Sequence, residues 1–161
     1  MSDAVVAQGW QTVVCRREAT AHAPAHVSRW TRGDEKDPGP VALVDDDPAT
    51  RCALTRLLGA MGLATVSFAS AEAFLAAGAG AGFSCLLLDI HLPGMSGLEL
   101  RASLLETGLD LPTIFISAAC DAEERVRASA GERALLLGKP LDACALGAAL
   151  DTVRRADLPP A

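Results

Sequence analysis

The sequence predicts an α/β protein of the doubly wound class, in which helices cover both faces of a parallel sheet. Five short apolar runs alternate strictly with longer segments whose apolar residues recur at helical spacing. The five runs are also apolar throughout rather than at every second position, which is typical of strands buried on both faces. Parallel strands joined by right-handed crossover helices satisfy both observations.

The predicted strands are short and are bounded by turn-forming residues or by helical patterns, as expected of buried strands. They comprise residues 41–45 (VALVD), 64–69 (ATVSFA), 85–90 (CLLLDI), 113–117 (TIFIS) and 134–138 (ALLLG).

The first two helices have clear start signals. Asp47 is placed to cap the first helix, and Pro48 lies in its first turn. The apolar stripe of this helix is predicted at Leu54, Leu57, Leu58 and Met61. Ser70 starts a shorter second helix, which runs through Phe74 and Leu75 and ends in a Gly-Ala run.

Three further helices are predicted. The third begins near Ser96 and ends at Gly108, with an apolar face at Leu98, Ala102 and Leu105. The fourth opens with Asp121 and Glu124 at capping-box spacing, and its thin apolar face predicts a weakly held helix. The fifth covers about residues 142–156, with a stripe at Leu146, Ala149, Leu150 and Val153.

Polar residues stand at the carboxyl ends of four of the predicted strands, where open sheets of this class bind ligands. They are Asp45, Asp46 and Asp47 after the first strand, Asp89 in the third, Ser117 in the fourth and Lys139 after the fifth. Taken singly, each could be a cap or a turn residue, and Asp47 is interpreted as a helix cap. Together they place carboxylates, a hydroxyl and an ammonium around one pocket, which favours a functional site.

The chemistry of this set points to a magnesium-dependent phosphoryl site. Crowded carboxylates repel one another, and a hard divalent cation relieves the repulsion. Mg²⁺ suits one or two carboxylates while leaving room for phosphate oxygens. A carboxylate beside Mg²⁺ and a lysine is a competent nucleophile towards phosphorus.

At these positions the sequence resembles the receiver domain of two-component response regulators. The matching segments are VALVDDDPATR, CLLLDIHLPGMSGLEL, TIFISA and GKP, which occur in order over about residues 40–155. These motifs are specific together, although each is weak alone. The resemblance implies a flavodoxin-like (βα)5 fold with strand order 2-1-3-4-5.

The resemblance also implies roles for individual residues. Asp89 is expected to be the phosphoacceptor. Asp46 is expected to bind Mg²⁺ directly and Asp45 through water, with the backbone carbonyl of His91 as a further ligand. The side chain of His91 is interpreted as part of the rim of the pocket rather than as a phosphocarrier.

Ser117 and Lys139 are expected to bind the phosphoryl group, and the bond between Lys139 and Pro140 is expected to be cis. The sequence departs from the family at Leu136, where an aromatic residue usually stands three positions before the lysine. The segment before Lys139 is also one residue longer than usual, which leaves the register of the fifth strand open.

These observations predict a stand-alone receiver that is not an enzyme in the ordinary sense, because it catalyses only its own phosphorylation and dephosphorylation. Residues 41–156 form the predicted receiver domain, and residues 157–161 a short C-terminal tail. Residues 1–40 are expected to be a disordered tail, with an upstream extension of the reading frame or a folded docking segment as alternatives. The expected partners are a sensor histidine kinase or a histidine phosphotransfer protein, and a downstream protein target. The prediction leaves open a dimer that forms on phosphorylation.

Three alternatives share part of this pattern. A phosphate sink or relay intermediate would carry the same site residues. A DNA-binding regulator is disfavoured by the formal net charge of −6 and by the absence of a basic stripe or a helix-turn-helix pattern. A magnesium-dependent phosphohydrolase commonly has an acid two residues after its nucleophile, where this chain has His91.

Composition also bears on location. Five cysteines at long spacings, with no CxxC pair, suggest reduced thiols. The sequence has no apolar run long enough for a membrane span, and no signal-peptide pattern. A soluble, cytoplasmic protein that binds neither membranes nor nucleic acid is therefore expected.

Overall fold

The computed structural model describes residues 39–78, 82–118 and 133–155. Within these residues the chain forms a five-stranded sheet with the order β2-β1-β3-β4-β5, and each neighbouring pair is parallel. The strands are β1 Val41–Val44, β2 Thr65–Phe68, β3 Cys85–Asp89, β4 Thr113–Ser117 and β5 Ala134–Gly138. The predicted α/β class, the doubly wound sheet and the strand order are confirmed.

Four helices are described beside this sheet: α1 Pro48–Ala60, α2 Ala71–Ala76, α3 Gly97–Glu106 and α4 Ala143–Arg155. Helix α4 is the fifth helix that the sequence predicts. The predicted helix at Asp121 and Glu124, residues 1–38 of the predicted tail and residues 157–161 lie outside the described residues. Every helix in the described part of the chain is too short or too polar to cross a bilayer.

Two apolar clusters, one on each face of the sheet, explain why the strands are apolar throughout. The first lies under α2 and α3 and includes Ala42, Val44, Leu86, Leu88 and Phe115 from the strands. The second lies under α1 and α4 and includes Val41, Leu43, Cys85, Leu87, Ile114 and Ile116. Alternate residues of β1, β3, β4 and β5 therefore enter opposite clusters, which is the arrangement of a sheet covered on both sides.

Capping side chains fix where three of the helices begin, as the sequence predicts. The carboxylate of Asp47 accepts hydrogen bonds from the N–H groups of Ala49 and Thr50. The hydroxyl of Ser70 accepts from the N–H of Ala73. At α3 the Ser96 side chain and the third helical residue form a complete capping box. Strands β1, β2 and β3 consequently pass into α1, α2 and α3 over short loops that end in a capping residue.

Helix α3 turns a different face to the sheet from the one its apolar residues predict. Leu98 is buried, but Leu105 is 37% exposed, so the predicted Leu98–Ala102–Leu105 face is wrong in part. The buried residues of the helix include Leu100, Arg101 and Leu104. Arg101 is fully buried, and its guanidinium forms an ion pair with Asp110. Apolar spacing alone does not reveal this burial, because the charged partner lies outside the helix.

Gly97 brings the first turn of α3 directly against the end of β3. A Cβ atom at this position would lie 2.2 Å from the carbonyl oxygen of Asp89 and 3.1 Å from the Cα of Ile90. The N–H of Gly97 also donates a hydrogen bond to the carbonyl of Ile90 at 3.1 Å. Only glycine allows this approach, so the position of Asp89 depends on it.

Replacing Gly97 with alanine should lower the free energy of unfolding by about 1–3 kcal/mol, the usual cost of overpacking a close contact. Urea denaturation would measure the loss. Gly59→Ala is the matched control, because an added Cβ there meets nothing within 4 Å. Alanine at this helical position should stabilise the protein by about 0.5–1 kcal/mol. Equal effects of the two substitutions would contradict the close contact at Gly97.

Candidate phosphoacceptor site

The fold brings the carboxyl ends of four strands to one edge of the sheet. Asp45 follows β1 and Asp89 ends β3, each one residue beyond the paired Val44 and Leu88. Ser117 ends β4, and Lys139 follows β5 directly. Residues that are far apart in the sequence therefore meet at the place where the strand order reverses, between β1 and β3.

Three carboxylates form a tight cluster at this edge. Asp45, Asp46 and Asp89 each offer one carboxylate oxygen, and these oxygens all lie within 4.8 Å of one another. Asp45 and Asp89 are buried, whereas Asp46 is exposed to solvent. Two buried acids and one exposed acid thus share a single small volume, in which their charges repel.

The ammonium group of Lys139 offsets part of this charge. Its Nζ donates to Oδ2 of Asp89 at 2.8 Å and to Oδ2 of Asp45 at 3.3 Å. Partial burial lowers the pKa of Lys139, but the hydrogen bond and charge of Asp89, together with Asp45, raise it by more. The net shift is upward, and Lys139 is a cation at neutral pH.

The second oxygen of each buried acid is held by the main chain. Oδ1 of Asp45 accepts from the N–H of Asp47 at 2.9 Å, and Oδ1 of Asp89 accepts from the N–H of His91 at 2.8 Å. Burial nevertheless raises the pKa of Asp45, and the neighbouring charge of Asp89 raises it further. The hydrogen bond from Asp47 and the charge of Lys139 offset only part of this effect. Asp45 is thus ionised at a cost in stability.

The remaining predicted residues lie around this cluster. Ser117 is buried between Asp89 and Lys139, and its carbonyl accepts from the N–H of Lys139 at 2.8 Å. The Lys139–Pro140 peptide bond is cis, as the resemblance implies. The β4–β5 register pairs Ser117 with Gly138, which settles the register left open by the sequence. The side chain of His91 is exposed, in agreement with a rim position.

Asp47 is a helix cap, as predicted. Its two carboxylate oxygens accept from the N–H groups of Ala49 and Thr50 and from the Thr50 hydroxyl. The Thr50 hydroxyl and these N–H groups lower the pKa of Asp47. With its oxygens engaged in this way, Asp47 does not join the carboxylate cluster.

Arg51 supports the site through the backbone, and the sequence did not predict this role. Its guanidinium donates to the main-chain carbonyl of Asp45 at 2.6 Å and so fixes the end of β1 from the first turn of α1. Its position four residues after the cap Asp47 is the only sequence signal, because a side chain there can reach back over the helix start. Arg51 supports the backbone that carries Asp45 and not the carboxylate itself.

The donor set fits a hard divalent cation. Three carboxylates from two strand ends offer oxygen atoms only, and one of them faces solvent. Mg²⁺ prefers oxygen ligands, uses one or two carboxylates and keeps several waters. Lys139 supplies one positive charge to three acids, so net negative charge is left for a cation to neutralise.

Comparison with known proteins agrees with this geometry. Residues 41–151 match the response regulator receiver domain family. Nodulation protein W of Bradyrhizobium diazoefficiens is 37% identical over 121 residues, which are 71% of this chain and 53% of that protein. Transcriptional regulatory protein FixJ of Azorhizobium caulinodans is 39% identical over 111 residues, which are 69% of this chain and 53% of that protein. The crystal structure of full-length FixJ from B. japonicum is 30% identical, with a TM-score of 0.67, and the match covers 75% of this chain and 60% of that one.

The fold and the acidic cluster at the strand ends are those of a receiver-type α/β domain. This chain belongs to the response regulator receiver domain family. It spans about half the length of the two relatives named above.

Neutralising Asp45 should stabilise the metal-free protein. Because the pKa of Asp45 is raised in the folded state, its ionised form costs stability at pH values above that pKa, and the cost falls as the pH drops towards 3.8. Asp45→Asn keeps an oxygen that can accept from the N–H of Asp47. Urea denaturation with a chelator present should show the variant more stable than the parent at pH 7, with a smaller difference near pH 4.

The control for this comparison is Asp142→Asn. Asp142 is exposed and accepts from the N–H of Ala145 near the start of α4, a role that asparagine fills equally well. Its substitution should change stability by less than about 0.5 kcal/mol at either pH. If Asp45→Asn were less stable than the parent at pH 7, the ion pair with Lys139 would outweigh the cost of burial, contrary to this interpretation.

Proposed function

We propose that Asp89 accepts a phosphoryl group from the phosphohistidine of a sensor histidine kinase or a histidine phosphotransfer protein, in a reaction that requires Mg²⁺. The observation that carries this proposal is the placement of Asp89. Its carboxylate lies at the end of β3, within 4.8 Å of the Asp45 and Asp46 oxygens and 2.8 Å from Nζ of Lys139. A buried carboxylate beside an ammonium group and other carboxylates that can hold a cation is suited to attack phosphorus. The same positive charges can then stabilise the phosphorylated product.

The transfer is a displacement at phosphorus. A carboxylate oxygen of Asp89 forms a bond to the phosphorus atom, the bond from phosphorus to the histidine nitrogen breaks, and its electron pair returns to the imidazole ring. The product is an acyl phosphate on Asp89. Attack by water on this phosphorus later releases inorganic phosphate and regenerates the carboxylate.

Each neighbouring residue has a proposed part in this reaction. Lys139 exchanges its bond to Oδ2 of Asp89 for a bond to a phosphoryl oxygen, and the hydroxyl of Ser117 donates to another. Asp45, Asp46, Asp89 and the carbonyl of His91 would hold the Mg²⁺ ion. When bound, the ion would neutralise charge on the carboxylates and on the phosphoryl oxygens.

The output is proposed to be contact with a downstream protein. Leu136 stands where the resemblance leads one to expect an aromatic residue, and it is half-buried against the cluster that includes Phe115. A leucine has no ring that could turn inward on phosphorylation, so the output cannot depend on ring rotation at this position.

Phosphorylation is testable with a small donor. Incubation with acetyl phosphate and Mg²⁺ should add one phosphoryl group per chain, measured by intact mass. Asp89→Asn should abolish the addition, because the amide lacks the nucleophilic oxygen. Asp151→Asn, which changes an acid on α4, should retain it. No mass gain in the parent protein, or a gain that survives Asp89→Asn, would contradict the proposal.

Metal binding is testable separately through stability. Free Mg²⁺ at one hundred times its dissociation constant should raise the free energy of unfolding by about 2.7 kcal/mol, because the ion binds only the folded protein. Asp46→Asn should remove most of this gain at the same concentration.

The matched control is Asp47→Asn, since asparagine caps a helix as well as aspartate and Asp47 lies outside the carboxylate cluster. It should keep the response to Mg²⁺. An equal loss in both variants would indicate general charge screening rather than a defined site.

A further inference from the structure

A carboxylate outside the acidic cluster contacts the loop that follows Asp89. Glu72, in the first turn of α2, accepts a hydrogen bond through Oε1 from the N–H of Met95 at 2.9 Å. The same oxygen would lie 2.8 Å from a Cβ atom at Gly94, whose φ is +77°. Gly94 therefore provides both the backbone turn and the space that this contact needs.

This loop, residues 90–96, follows Asp89 directly and joins β3 to α3. At its start the N–H of His91 donates to Oδ1 of Asp89 at 2.8 Å. At its far end Ser96 caps α3, and Gly97 donates to the carbonyl of Ile90. The exposed turn between these ends includes Gly94, and Glu72 holds it from a different element of the fold.

Glu72 is suited to this contact at neutral pH. Its pKa is lowered, first by the N–H of Met95 and then by its own backbone N–H and the Ser70 hydroxyl. An ionised acceptor makes a stronger hydrogen bond to an N–H group than a neutral one does.

We propose that Glu72 is a positioning residue for the phosphoacceptor site. By holding the N–H of Met95 it fixes loop 90–96, so that the N–H of His91 stays on Asp89 and the backbone of His91 keeps its place beside the acidic cluster, where its carbonyl would be available to Mg²⁺. Glu72 touches neither the metal nor the phosphoryl group and acts through the backbone of the loop. This inference rests on the proposed function of Asp89.

The test compares Glu72→Ala, Glu72→Gln and the control Glu106→Ala. Glutamine keeps an oxygen that can accept from the N–H of Met95, whereas alanine does not. Glu106 is an exposed acid in the last turn of α3, at the end of the helix that lies away from loop 90–96. Its substitution removes one negative charge without touching the loop. The measurements are the Mg²⁺ dissociation constant, the rate of phosphorylation by acetyl phosphate and the hydrogen-exchange rate of the Met95 amide, all well below the melting temperature.

Glu72→Ala should weaken Mg²⁺ binding by about three- to tenfold, the range expected for one lost hydrogen bond. It should also slow phosphorylation and speed exchange at Met95. Glu72→Gln should stay within about twofold of the parent protein in Mg²⁺ binding, and Glu106→Ala should match the parent. A purely structural role would lower the melting temperature without changing the dissociation constant.

Unchanged Mg²⁺ binding and phosphorylation in Glu72→Ala would overturn the inference, as would equal losses in all three variants. If Glu72→Ala and Glu72→Gln lost Mg²⁺ binding equally while Glu106→Ala did not, the hydrogen bond to Met95 would not be the cause of the loss, and the inference would be overturned. If the parent protein itself neither bound Mg²⁺ nor accepted a phosphoryl group, the proposed function would fail instead, so the two failures are distinguishable.

Discussion

The contact on which the site depends is the pair of hydrogen bonds from Lys139 to Asp89 and Asp45. Two buried carboxylates at neighbouring strand ends repel each other, and burial makes the ionised form of Asp45 costly. One ammonium group, 2.8 Å from Asp89 and 3.3 Å from Asp45, offsets part of that cost. The remaining negative charge leaves the folded protein with an unfavourable site that a divalent cation would relieve. Stability and function are therefore opposed at this edge of the sheet.

The rest of the fold holds this crowded group in place through the backbone. Gly97 allows α3 to start against the carbonyl of Asp89, and Arg51 holds the carbonyl of Asp45. The N–H groups of His91 and Asp47 occupy one oxygen of each buried acid. These contacts come from loops and helix starts, while the two apolar clusters fix the strands beneath them. A rigid sheet with short, capped loops thus holds together carboxylates that would otherwise move apart because of their charge.

Much of this could be predicted from the sequence, because the governing signals are local. Continuous apolar runs predict the strands, and Ser96 marks the start of α3. Strand-end placement and the family resemblance led to Asp45, Asp46, Asp89, Ser117 and Lys139. Contacts between distant elements left no such signal. The burial of Arg101 depends on Asp110 across a loop, and the contact of Glu72 with Met95 joins residues 23 positions apart. Neither follows from spacing or residue type, since each arises only when the chain has folded.

A crystal structure with Mg²⁺ and beryllofluoride, a mimic of the phosphoryl group, would show directly whether Asp89 is the phosphoacceptor. We expect a beryllium–oxygen bond on Asp89, a metal ion beside Asp45 and Asp46, and Lys139 moved from Oδ2 of Asp89 to a fluorine atom. Ser117 should contact a second fluorine. Beryllofluoride bound elsewhere, or Lys139 still bonded to Asp89 with the mimic at another carboxylate, would contradict it.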